Sequence, residues 1–181
     1  MARPVKPEQR IFVALGSNLA DPVRQVLMAL ERLRRHPAVY GLTVSSLYQS
    51  EPWGNPDQPE FINAVAEMRT TLVPGDFLAL LLDTEREQGR VRNGNRWGPR
   101  VVDLDLLAWG DLRLCEPGLK VPHPRLADRR FVLLPWAEIA PEFQVPDLGR
   151  VRDLLARCPD AGHVSLLSSE VEDTAVAIAE G

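Results

Sequence analysis

Apolar positions recur along the chain with two periods, and the changes between them mark the elements. Ile11–Leu15 is a short apolar run that ends at Gly16-Ser17-Asn18, which predicts a buried strand followed by a turn. Asp21-Pro22 supplies a helix cap and a first-turn proline. Val23, Val26, Leu27, Leu30 and Leu33 follow at helical spacing until His36-Pro37 stops the helix. Leu42–Tyr48 is rich in β-branched and aromatic residues and reads as one strand. The segment 50–60 carries Pro52, Gly54, Pro56 and Pro59 and reads as a stiff loop, and Phe61–Thr71 reads as the next strand. Pro74 opens a second helix to about Gln88, with Phe77, Leu78, Leu81 and Leu82 inward and Gly89 as its stop. A polar loop over 90–100 leads into the strand Val101–Trp109. Helices are expected near Phe131–Ala140 and Val151–Arg157. The order strand, helix, strand, strand, helix, strand implies an α+β domain, an antiparallel sheet with two helices on one face.

Length and composition narrow the class. The 181 residues fit one domain, with 45% hydrophobic and 25% charged residues. No apolar run reaches the eighteen residues of a membrane-spanning helix, and MARPVKPEQR lacks the apolar stretch of a signal peptide. Cys115 and Cys158 are too few for a disulfide framework or a zinc site, so a cytoplasmic location is expected. The net charge of -4 conceals an asymmetry. All 21 bases lie between Arg3 and Arg157, and only acids follow: Asp160, Glu170, Glu172, Asp173 and Glu180. Residues 1–158 are therefore expected to form the domain, and 159–181 an acidic, flexible tail.

The chemistry concentrates in 90–107. Asp103 and Asp105 are two apart on a predicted strand, so their carboxylates project from one face, with Cα atoms ~6.6 Å apart. Two such groups can converge on a hard cation. Taken alone, a D-x-D pair is more often a solvated face, or a set of partners for nearby arginines. Arg86, Arg90, Arg92, Arg96 and Arg100 crowd the approach, opposed only by Glu87. Guanidiniums grip phosphate oxygens, and carboxylates hold Mg²⁺ together with substrate phosphates. Side by side they suit a nucleoside triphosphate, although no GxxxxGK[ST] loop is present.

The run Arg96-Trp97-Gly98-Pro99-Arg100-Val101-Val102-Asp103-Leu104-Asp105-Leu106-Leu107 closely resembles the signature of the 6-hydroxymethyl-7,8-dihydropterin pyrophosphokinase family. Further matches occur in order: Ala14-Leu15-Gly16-Ser17-Asn18, Thr43–Tyr48, Asp57-Gln58-Pro59 with Asn63, Glu85 through Gly89-Arg90-Val91-Arg92, Val121–Arg125, and Arg129-Arg130-Phe131. The resemblance spans about residues 10 to 157. It implies a ferredoxin-like βαββαβ fold and transfer of pyrophosphate from ATP to the hydroxymethyl group of a reduced pterin, with release of AMP.

The resemblance also implies roles. Asp103 and Asp105 would hold two Mg²⁺ ions. Arg90 and Arg92 match catalytic-loop arginines. Glu85, Arg92, Arg96, Trp97, Arg100, Leu106, His123 and Arg129 match the ATP side. Phe61 and Phe131 would sandwich the pterin, Asn63 would read its edge, and Ser50, Glu51, Pro52 and Trp53 would complete that reading. Residues 90–95 hold almost nothing to bury and are expected to form a lid over bound substrates. The implied partners are the two small molecules, with no nucleic acid and no membrane, acting on a monomer.

Three positions depart from some relatives. Pro124 stands where an aromatic residue can occur, Glu51 replaces a proline, and Phe61 lacks a tyrosine hydroxyl. These bear on fine substrate contacts. A ferredoxin-like RNA-binding module is the competing class, and a ligand-binding regulatory domain is a third. Acid at the centre of a basic surface repels a polyanion, and the strands lack the aromatic pattern of RNA-recognition sheets. Retention of both aspartates and the arginines argues against a non-catalytic domain.

Overall fold

Strands β1 (Ile11–Ser17) and β4 (Phe61–Thr70) are apolar on both faces, and that places them at the middle of the sheet. A computed structural model of the chain describes residues 9–90 and 99–167. Between β1 and β4 come α1 (Pro22–Arg35), β2 (Val39–Val44) and β3 (Tyr48–Ser50). After them come α2 (Pro74–Glu87), β5 (Asp103–Trp109), the hairpin β6 (Leu114–Glu116) and β7 (Leu119–Val121), and α3 (Arg130–Ile139). The chain ends in the short hairpin β8 (Gln144–Val145) and β9 (Gly149–Arg150), α4 (Val151–Ala156) and β10 (Val164–Leu166). The main sheet runs β10-β3-β4-β1-β5, with β2 also on β4, and every pairing is antiparallel. The β5-β1-β4 centre, with β2 and β3 sharing the next position, is the expected ferredoxin-like arrangement.

The expected strand 42–48 is two strands. Ser45 breaks it: its amide donates to Val65 O at 2.9 Å, and its hydroxyl accepts from Val65 N at 3.0 Å. β2 and β3 therefore lie end to end along one edge of β4. The two hairpins were absent from the sequence reading because strands of two or three residues are too short to show a period.

Helices cover both faces, not one. α1 and α2 pack against Val13, Leu15, Ile62 and Ala64 in one core, while α3 and α4 pack against Phe12, Val65 and Leu107 in a second. In α2 the buried residues are Phe77, Leu80, Leu81, Thr84 and Glu85. Leu78, expected inward, packs half-buried against the first core while also bordering a cleft, and Leu82 borders the same cleft. In the second core the Phe12 ring centroid lies 4.5 Å from Phe143 and 5.1 Å from Trp136. Residues 160–167, expected to lie in the tail, include Val164–Leu166, which pair with β3 as an edge strand, and the rest of the expected tail lies outside the described residues.

Phe12 is fully buried at the centre of that aromatic cluster. Phe12→Ala is expected to destabilise the protein by about 3–5 kcal/mol in urea unfolding. A loss below about 1 kcal/mol would put the weight of the second core elsewhere.

Candidate active site

Strand alternation delivers the two aspartates. In β5, Leu104 and Leu106 turn into the first core, and Asp103 and Asp105 turn to the α3 side. Their β1 neighbours in the ladder are Gly16 and Ala14, and Gly16 pairs in turn with Asn63 on β4. This floor is almost bare of side chains between the carboxylates and Asn63. A Cβ added at Gly16 would come within 3.5 Å of Asn63 Oδ1 and 3.9 Å of Phe61 Cδ1. Above the floor lies a cleft of about 750 Å³.

Of the residues picked out in the sequence, Ser50, Glu51, Trp53, Phe61, Asn63, Glu85, Arg90, Arg100, Asp103, Asp105, Leu106, His123, Arg129 and Phe131 line this cleft. Pro52 does not line it. Arg92, Arg96 and Trp97 lie outside the described residues, as does most of the expected lid over 90–95.

Asp103 is held by arginines. Arg90 Nη1 donates to Asp103 Oδ1 at 2.5 Å, and Arg100 Nη1 donates to Asp103 Oδ2. Pairing with nearby arginines, the alternative open for a D-x-D pair, is thus present, through two arginines at Asp103 and one, Arg129, at Asp105. Burial works to raise the Asp103 pKa, but the charges of Arg100 and Arg90 outweigh it and hold the carboxyl below its ordinary range. Asp105 is opposite in sense. Burial, followed by the negative charge of Asp103, pushes it well above the ordinary carboxylate range, and Arg129 at 3.4 Å only partly compensates.

Glu85, assigned to the ATP side by resemblance, is 3% exposed beneath β5. Its Oε1 accepts from the Leu104 amide at 2.8 Å and from Arg90 Nη1. It anchors the start of β5 and Arg90 together. Gly89 allows this approach, because its positive φ of 88° turns the chain after α2.

On the other side of Asp105 stand His123 and Arg129. His123 Nδ1 accepts from the Arg125 amide at 3.1 Å, which leaves the proton on Nε2, 3.9 Å from Asp105 Oδ2. Burial and then the charge of Arg129 push the His123 pKa down to about 4, so the ring is a neutral donor at pH 7. The Arg129 guanidinium stands 5.4 Å from the Trp53 ring centroid and 5.9 Å from that of Phe131. Its buried Nε finds no hydrogen-bond partner among the described residues.

Asn18, part of a family-matching turn to which the sequence assigns no role, ties the site together. It is 2% exposed. Its Oδ1 accepts from the Arg100 amide at 2.8 Å, its own amide donates to Arg100 O at 3.1 Å, and its Nδ2 donates to Gln58 Oε1 and Pro59 O. Three segments distant in sequence meet on one side chain. The available signal was an amide at the end of an apolar strand, where a side chain able to donate and accept is favoured. Ala14 and Gly16 were also passed over, because a floor is recognised only once strands are paired.

The comparisons agree with one another. Residues 12–141 match the family model described as 7,8-dihydro-6-hydroxymethylpterin-pyrophosphokinase. The chain is 49% identical over 154 residues to the 2-amino-4-hydroxy-6-hydroxymethyldihydropteridine pyrophosphokinase of Pseudomonas aeruginosa, covering 85% of this chain and 94% of that one. It is 39% identical over 155 residues to the Haemophilus influenzae protein of the same name, covering 86% and 96%. Plasmodium falciparum HPPK-DHPS, wild type with pteroate, superposes with a TM-score of 0.64 at 13% identity, over 83% of this chain and 44% of that one. At that identity the likeness concerns the fold alone.

A prediction follows from the unequal aspartates. The raised pKa of Asp105 means that its ionisation opposes folding, so this penalty is absent at low pH and grows as pH rises through the carboxylate range. In protein stripped of divalent ions, Asp105→Asn is expected to raise the Tm at pH 8, with the gain shrinking toward pH 4. A gain independent of pH would assign the effect to something other than this charge.

Proposed function

The chain belongs to the 7,8-dihydro-6-hydroxymethylpterin-pyrophosphokinase family and is an ATP-dependent pyrophosphotransferase of folate biosynthesis, and we propose that its chemistry is carried by the cleft at the end of β5. It transfers the pyrophosphoryl group of ATP to the hydroxymethyl group of 6-hydroxymethyl-7,8-dihydropterin and releases AMP. The hydroxymethyl oxygen attacks the β-phosphorus. The bond from that phosphorus to the oxygen bridging the α-phosphate breaks, and the hydroxyl proton is lost. The observation that carries the site assignment is the placement of Asp103 and Asp105 on one face of β5, across the bare floor from Asn63.

Asp103 and Asp105 would hold Mg²⁺, two ions in this reading. Among the described residues no group of three or more His, Cys, Asp or Glu side chains is arranged to hold a metal ion. Two carboxylates nevertheless suit Mg²⁺, which takes hard oxygen donors and fills its shell with water and substrate phosphates. The mutual repulsion that raises Asp105 is what a cation would relieve. Bound there, Mg²⁺ would neutralise the triphosphate and favour the charge that develops on the leaving phosphate.

The chain's own groups divide the remaining work. Arg90 and Arg100 take phosphate oxygens, and Arg92 and Arg96 extend that grip over the nucleotide with Trp97. His123, held neutral, donates its Nε2 proton to a phosphate oxygen, and the Arg129 guanidinium adds positive charge beside it. Leu106 gives the nucleotide an apolar wall. Glu85 supports Arg90 from below rather than touching the nucleotide. On the pterin side, Phe61 and Phe131 stack on the ring and Asn63 reads its edge, while Ser50–Trp53 close that side. Asn63 Nδ2 donates to Ser50 Oγ at 2.7 Å, which fixes the amide so that its carbonyl oxygen can accept from the pterin edge. No side chain is assigned as general base. In this reading the enzyme acts as a monomer on two small molecules, without nucleic acid or membrane. Its free thiols, Cys115 and Cys158, suit a reducing cytoplasm.

Incubation with ATP, Mg²⁺ and the dihydropterin is expected to yield AMP and pyrophosphorylated pterin, and ADP in place of AMP would sink the assignment. Asp103→Ala and Asp105→Ala are each expected to cost turnover at least about 10²–10³-fold with circular dichroism unchanged. Phe131→Ala is expected to weaken pterin binding far more than ATP binding, since a stacked pair is worth about 0.5–1.5 kcal/mol beyond area burial. Calorimetric titration with each ligand separates these outcomes, and equal losses would assign Phe131 to packing.

A further inference from the structure

The C-terminal segment reaches both sides of the pterin half of the cleft, although it lies past residue 141 where the family match ends. One contact is at α3. Asp160 Oδ2 accepts from the Arg130 amide at 3.1 Å, and Asp160 Oδ1 accepts from the Gly162 amide at 2.9 Å. Arg130 is the first residue of α3, and Phe131 is the second. This helix start has no cap of its own, because the Arg129 side chain makes no capping bond. It is weakened again from within. Pro135 has no N–H, so the Phe131 carbonyl loses the donor a regular helix would give it. The turn that aims Phe131 thus takes its N-terminal cap from Asp160, thirty residues away in sequence.

The second contact is at β3 and the loop after it. Val164 pairs with Ser50, Ser165 with Gln49 and Leu166 with Tyr48. Glu51 N donates to His163 O at 3.4 Å, and His163 N donates to Glu51 Oε2 at 3.5 Å. Ser50 is the partner of Asn63, so β10 braces the strand that orients the Asn63 amide.

We propose that Asp160–Leu166 is a positioning element for the pterin, which fixes Phe131 through the cap on Arg130 and the Ser50–Trp53 loop through the β10–β3 pairing. None of these hydrogen bonds reaches Asp103 or Asp105, and Arg129 is joined to the cap only through the backbone it shares with Arg130, so the effect falls more on the pterin than on the nucleotide. The inference rests on the reading of Phe131 and Asn63 as pterin contacts.

The test compares the full protein with Asp160→Ala, Asp160→Asn and Phe131→Ala, and with chains ending after Pro159 and after Leu167. Calorimetry gives the Kd for the dihydropterin and, separately, for Mg²⁺ with a non-transferable α,β-methylene analogue of ATP. Asp160→Ala is expected to raise the pterin Kd by about tenfold, the factor of an ordinary lost helix cap. The chain ending after Pro159 is expected to lose more. Both should keep the nucleotide Kd within about twofold, the chain ending after Leu167 should match the parent, and Asp160→Asn, which keeps one acceptor oxygen, should recover part of the loss. An unchanged pterin Kd in Asp160→Ala, an equal loss for both ligands, or the same loss in the chain ending after Leu167 would overturn the proposal. Should the shorter chain fail to fold, Asp160→Ala decides alone. Phe131→Ala serves as the reference: if it leaves the pterin Kd unchanged, the underlying site reading fails. If it weakens the pterin and Asp160→Ala does not, only the positioning role fails.

Discussion

Two carboxylates on one face of β5 repel each other, and the side chains around them are arranged about that repulsion. Asp103 is neutralised in place by Arg90 and Arg100, while Asp105 is left with burial and a like charge beside it. Buried charges without full compensation cost stability, and such arrangements are retained where a function needs them. The arginines that balance Asp103 are also the groups suited to a polyphosphate. Glu85 holds the Arg90 guanidinium, and Asn18 holds the backbone of Arg100, so each arginine has an anchor besides Asp103.

The sheet makes this cleft possible because it is covered on both faces. With α1 and α2 on one side and α3 and α4 on the other, β1 and β4 are immobilised at the centre, and the cleft opens at the end where cover stops. Ala14 and Gly16 keep the floor low there. A Cβ at Gly16 would lie at van der Waals distance from Asn63 and Phe61, so glycine leaves free the room beside them.

The two halves of the cleft are supported differently. The Asp103–Asp105 side gathers charges around β5, among them Arg129 at the start of α3. The Phe131–Asn63 side draws its support from α3, β3 and β10, and its parts meet only through tertiary contacts.

Much was legible in the chain itself. Helical periods, proline starts and the glycine stop located α1 and α2, because local capping and packing there agree. Alternation in 101–109 put both aspartates on one face for the same reason: a strand's period is a property of the backbone. The run from Arg96 to Leu107 identified the family, since it joins cation and anion ligands in one unbroken segment. Other features were decided only by tertiary structure. The break at Ser45 depends on Val65, the unequal character of Asp103 and Asp105 on which arginines reach each, and the inward turn of Glu85 on the amide of Leu104. The reach of Asp160 to α3 depends on how the chain returns after α4. Each of these is a contact between residues far apart in sequence, and no local period or propensity carries it.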